Sequence, residues 1–179
     1  MADGQEKKIL LGTGEVVILA PDNSVVDIEN VGDGWTGEGH QVRELFGLPP
    51  RDISRDFKLF VPIVLGGVNK DVAAMQGLFL NSECQRRDKA AVVFNDTKLN
   101  LAAGDRISSM IADDYFSHQQ PNGWWPHKVI RNRGYVLPDD YLDDGNRVEI
   151  LVGSPGGLTP EQAHAAWLAS PDHKKYYCA

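Results

Sequence analysis

Two β-branched runs open the chain. Glu15-Val16-Val17-Ile18-Leu19 and Ser24-Val25-Val26-Asp27-Ile28 flank Pro21-Asp22-Asn23, so the pattern predicts strand, turn, strand. Lys58-Leu59-Phe60-Val61-Pro62-Ile63-Val64-Leu65 is a further strand candidate, with Pro62 suited to an edge. From Asn69 the period turns helical: Val72, Met75 and Phe79 fall on one face and Asn69 caps the start. A second helix is predicted from Leu99, Ala103, Ile107, Met110 and Ile111, with Asp96 as its N-cap. A third begins at Thr159-Pro160-Glu161-Gln162, where a capping threonine, a proline at the first helical position and a glutamine complete a capping box. Ala163, Ala166 and Trp167 face inward along it, and Pro171 ends it. Before it, Arg147-Val148-Glu149-Ile150-Leu151-Val152 reads as a strand.

Composition narrows the class. A chain of 179 residues that is 42% hydrophobic suits one domain, or one domain with an extension, and has enough apolar side chains for a core. The net charge of −7 argues against a general nucleic-acid partner, since phosphate contacts need clustered lysine and arginine. The start, Met1-Ala2-Asp3-Gly4-Gln5-Glu6-Lys7-Lys8, is polar, and the apolar run after it is cut by Gly12 and Gly14, so no export signal is expected. No stretch reaches the roughly 20 apolar residues of a membrane span, so no membrane partner is expected. The two cysteines, Cys84 and Cys178, leave three states open: an internal bridge, an intermolecular bridge, or two free thiols.

Several short motifs carry less than their letters suggest. Gly32-Asp33-Gly34-Trp35-Thr36-Gly37 matches the dinucleotide-binding glycine pattern, but no helical pattern follows it, a tryptophan sits inside it and acids surround it. A loop is expected there. Asn95-Asp96-Thr97 matches a glycosylation sequon, but reads better as a helix cap. The run Asp139-Asp140-Tyr141-Leu142-Asp143-Asp144 offers hard oxygen ligands without the spacing of a calcium loop, and a solvated loop is expected. His40 and His127 lie in loop-like polar contexts and His164 lies mid-helix, where structural roles are expected.

His118 and His173 stand apart by context. His118 closes Tyr115-Phe116-Ser117-His118 and precedes Pro121-Asn122-Gly123; Gly134-Tyr135 follows, then Asn146-Arg147-Val148-Glu149-Ile150-Leu151-Val152-Gly153. His173 ends the stretch that begins at Trp167 and passes through Ser170-Pro171. Together with Leu80-Asn81-Ser82-Glu83, Phe94-Asn95-Asp96-Thr97-Lys98-Leu99 and Thr159-Pro160-Glu161-Gln162-Ala163, these segments resemble in order the motifs of the SCP/CAP superfamily (cysteine-rich secretory, antigen 5 and pathogenesis-related 1 proteins) in its bacterial form. The resemblance implies an α/β fold, an α-β-α sandwich over 69–179, preceded by a β-rich or irregular extension over 1–68. It also implies a site in which His118, Glu149 and His173 converge, either as general acid and base or as ligands of a divalent metal such as zinc. The chain departs from the family in three ways. The second acid near the third helix has no match, with Ala169 and Ser170 where it belongs. Asn146 aligns with Glu149's position when no gap is allowed. The chain also ends six residues after His173, where the family continues through a final strand. That strand is then missing, replaced by the N-terminal β-region, or supplied by a partner.

Two functions fit. One is structural: a subunit of a larger assembly such as a phage particle, meeting other protein subunits through residues 1–68 and the C-terminus. The alternative is a metal-binding, hydrolytic or ligand-binding protein using His118, Glu149 and His173.

Overall fold

The computed structural model describes residues 4–51, 96–141, 144–155 and 157–177. Outside these lie the strand expected around Pro62, the helix expected from Asn69, the boundary between 68 and 69, both cysteines, Asn95 of the sequon, and Leu142 and Asp143 of the acidic loop. The described residues mix five helices with one four-stranded antiparallel sheet. They form two compact units. One unit holds described residues from 4–34 and from 150 onward; the other holds 35–51 and 96–149.

The first unit is built on the sheet. Strands β1 (Lys7–Leu11), β2 (Glu15–Leu19), β3 (Val25–Asn30) and β4 (Val152–Gly153) lie in the order β3-β2-β1-β4. The expected strand, turn, strand is present as β2 and β3. Asn23 turns the chain with a φ of 66°, and the Ser24 N–H and hydroxyl donate to Asp22 Oδ1 at 3.0 and 2.6 Å. β1 was not expected from the pattern, because Gly12 and Gly14 interrupt its apolar run. Those glycines instead form the tight turn into β2, where Gly14 adopts a φ of 83°. β1 also pairs on its far side with β4, Leu11 opposite Val152 and Leu10 opposite Gly153.

Side chains alternate across a strand, so Ile9, Leu11, Val17 and Leu19 share one face and Leu10, Val16 and Ile18 the other. Both sets are buried. The first set packs against Ala163, Ala166 and Trp167 of α4 (Pro160–Ala169) and against Tyr177. The inward face predicted for this helix is the observed one. Its capping box is also as predicted: Thr159 Oγ1 accepts from the Gln162 N–H and Gln162 Oε1 accepts from the Thr159 N–H. Lys7 Nζ donates to the same Gln162 oxygen at 3.1 Å, fastening β1 to the helix start. Pro171 ends α4 and opens α5 (Pro171–Tyr176), with Ser170 as N-cap.

In the second unit, α1 (Gly39–Leu45), α2 (Thr97–Ala112) and α3 (Pro126–Asn132) are the helices. Asp96 caps α2 as expected, its Oδ1 accepting from the N–H groups of Lys98 and Leu99 at 2.8 and 3.0 Å. The buried stripe of α2 is not the predicted one. Ala102 and Arg106 are buried, while Ile107 is 47% exposed. An apolar count cannot place Arg106 inside, and that residue sets the rotation of the helix. A small core of Ala102, Val129 and Ile130, with Leu99, Tyr135, Leu137 and Val148 against it, joins α2 to α3. A short helix, α1, does follow the glycine-rich loop, where the sequence showed no helical pattern. Gln41 Oε1 fixes its start by accepting from the Thr36 and Glu38 N–H groups. No helix among the described residues is long and apolar enough to cross a membrane.

Candidate functional site

Residues 147–151 are not a strand; β4 is only two residues long. The cause is local. Asn146 Oδ1 accepts from the Val148 and Glu149 N–H groups at 3.2 and 3.1 Å, and its amide donates to the Glu149 carbonyl at 2.6 Å. A side chain that satisfies these backbone groups removes their need for a ladder partner. The result is a fixed loop that presents the Glu149 carboxylate inward. Asn146 and Glu149, rivals for one position in the sequence, therefore act together.

That carboxylate meets His118. Nδ1 of His118 lies 2.9 Å from Glu149 Oε2, and the two side chains are 16% and 14% exposed. Arg106, on the buried stripe of α2, reaches both Glu149 oxygens: Nε donates to Oε1 at 2.8 Å and one terminal nitrogen to Oε2 at 3.1 Å. The same terminal nitrogen donates to the carbonyls of Ser117 and His118 at 2.7 and 2.9 Å. The other donates to the Tyr115 hydroxyl at 2.8 Å, which in turn donates to Ser109 Oγ at 3.0 Å. A buried cation is tolerated only with such pairing. Arg106 thus holds both the backbone that carries His118 and the carboxylate that faces its ring.

The segment leading to His118 is gripped from the other direction by the glycine-rich loop. Phe116 N–H donates to the Gly37 carbonyl at 2.6 Å, and Gly39 N–H to the Asp114 carbonyl at 2.8 Å. A Cβ on Gly37 would stand 2.0 Å from the Phe116 oxygen, and one on Gly39 2.1 Å from the Asp114 carboxylate. These glycines allow close backbone approach here. Arg43, in α1, completes the grip with a 2.6 Å bond to Asp114.

His173, the third expected site residue, belongs to the first unit and is buried there. Its Nδ1 lies 3.0 Å from Ser170 Oγ and 4.0 Å from Glu15 Oε2. Ser170 Oγ also bonds Glu15 Oε2, and Thr13 Oγ1 donates to that oxygen at 2.8 Å. The structure thus gives each of the two histidines a glutamate in its own unit. Sequence reasoning missed Glu15 and Arg106. Glu15 begins a strand in a segment read as an extension, and nothing in the local pattern ties it to His173. Arg106 had a faint signal, a charged residue four positions after Ala102 on an amphipathic helix. Of the other histidines, His127 is buried in α3 rather than in a loop, His164 Nδ1 lies 2.9 Å from the Tyr177 hydroxyl, and His40 is exposed beside Glu38.

Glu149 is poorly suited to be a metal ligand. Both Glu149 oxygens already accept from the Arg106 guanidinium, and a cation bound there would face that positive charge. Among the described residues no group of three or more His, Cys, Asp or Glu side chains is arranged to hold a metal ion. The chain matches no protein-family model, no curated protein and no solved structure.

Proposed function

We propose that the chain is an SCP/CAP-like protein whose His118, oriented by Glu149, is the acid–base and ligand-contacting group of its site. The 2.9 Å contact between His118 Nδ1 and a carboxylate that is itself held at both oxygens carries the reading. Such a carboxylate fixes the ring and stabilises the imidazolium when the far nitrogen takes a proton from a water or a substrate hydroxyl. The α-β-α sandwich is supported by β1 and β2, whose side chains are buried on both faces, as in a sheet covered by a layer on each side. The pairing of β1 with β4 places the N-terminal strands in one sheet with the segment that follows Glu149.

The reading is tested by acylating the protein with diethyl pyrocarbonate and mapping the modified histidines by mass spectrometry. His40, whose side chain is 71% exposed, is the internal control. His118 is expected to react at least as fast as His40, and more slowly once Glu149→Gln removes its carboxylate. A His118 that stays unmodified while His40 is consumed rejects the acid–base role.

A second reading, a structural subunit of a larger assembly such as a phage particle, is favoured by β3. Among the described residues this strand is the sheet edge beside β2, and Val25, Val26 and Ile28 are 46%, 52% and 36% exposed. An apolar edge strand offers backbone groups to a strand from a neighbouring subunit. Native mass spectrometry tests it: association lost in Val26→Lys supports the role, and a monomer in both proteins argues against it.

A further inference from the structure

We infer that Arg106 is the positioning residue of the His118–Glu149 pair, locking His118 in the tautomer with its proton on Nδ1 and keeping Glu149 an orienting group rather than a metal ligand. The inference rests on the acid–base reading and deepens it. An ionised carboxylate only accepts hydrogen bonds. Glu149 Oε2 lies 2.9 Å from His118 Nδ1, so that nitrogen donates and Nε2 is the acceptor in the neutral ring. The lock depends on the carboxylate keeping its plane. A guanidinium fork that meets each oxygen separately sets that plane, and an ammonium, a point charge on a flexible stem, does not. The fork is immobile because Arg106 is 3% exposed and is anchored at the same time to Tyr115, Ser117 and His118. The same contacts decide the metal question. A divalent ion would reach Nε2 with Glu149 behind the ring, which is the arrangement of an orienting carboxylate.

The test uses the full chain labelled with nitrogen-15 at its histidines. In the wild type the neutral His118 ring should show a single tautomer with Nδ1 protonated. Arg106→Lys should populate both tautomers, while circular dichroism shows the fold retained. Tyr115→Phe, which removes one anchor of Arg106 and none of the hydrogen bonds between Arg106, Glu149 and His118, should show a smaller admixture and serves if the lysine variant does not fold. Zinc chloride titrated by calorimetry gives the second readout. Any zinc affinity that His118→Ala abolishes should survive in Glu149→Gln, weakened by no more than about 10–100-fold, the loss expected of an orienting group. An unchanged tautomer in both Arg106→Lys and Tyr115→Phe, or a zinc affinity lost as completely in Glu149→Gln as in His118→Ala, overturns the inference. An unreactive His118 that keeps its single tautomer would instead remove the acid–base role and leave Arg106 as the lock.

Discussion

Arg106 shows how much one residue can organise: helix α2 is turned so that a cation, not Ile107, faces inward, and the loops carrying His118 and Glu149 gather around it. Breaking a buried ion pair by removing one partner costs on the order of 3–5 kcal/mol, so Arg106→Ala should lower the denaturation midpoint far more than Ile107→Ala, as chemical unfolding would show. A different residue sets a pH response. Asp172, in the first turn of α5, is held below the usual carboxylate range by its 2.8 Å bond to Lys175, by that residue's charge and, to a lesser degree, by His173. A depressed carboxyl stabilises the fold above its ordinary value, near 3.9, and loses that contribution as pH falls through the lower folded value. The pair is exposed, so the effect is small. A carbon-13 titration should find Asp172 moving upward in Lys175→Gln; a midpoint that stays put would contradict the assignment. At this scale the sequence exposed the histidines, because their flanking motifs are distinctive. It concealed Glu15, whose partner lies at the other end of the chain, and it concealed Arg106, because a buried charge is invisible to a count of apolar positions.

Among the elements, those governed by local rules were legible. The caps at Asp96 and Thr159 and the inward face of α4 depend on residues within a few positions of each other, and the sequence states them directly. The short helices α1 and α3, with seven residues each, carry too little periodicity to be read. The strand expected over 147–152 shrank because Asn146 consumes the backbone groups a ladder would need. Ser170 joins two elements: its hydroxyl accepts from the His173 N–H as the cap of α5 and also bonds Glu15 at the start of β2. Ser170→Ala removes both at once and leaves Glu15 short of a donor, so a loss of about 1–3 kcal/mol is expected. Glycine at this position would restore much of the capping but not the bond to Glu15. Equal stability of the alanine variant and the wild type in urea would show that the junction does not depend on the serine.

For the whole molecule, the sheet is the telling feature. A β-rich extension should have one wet face, yet Leu10, Val16 and Ile18 are as buried as the residues that meet α4. Leu10→Ala should therefore cost about 2–5 kcal/mol by calorimetry or chemical unfolding, the range for a core leucine, and a cost below 1 kcal/mol would mean that this face is not tightly covered. The sequence could not show this, since a short apolar strand reads the same whether one face or both are covered. Pairing between residues at opposite ends of a chain also leaves no local trace. That pairing has a consequence for synthesis. Leu11 leaves the ribosome long before its neighbour Val152 exists, and Ile9, Val17 and Leu19 wait equally long for Trp167. At roughly 5–20 residues per second, the interval is on the order of 7 to 30 s, during which the face of β1 and β2 that packs on α4 is made but its helix is not. A nascent chain stalled before residue 150 should be a client for holding chaperones, and release of the remaining residues should end that dependence.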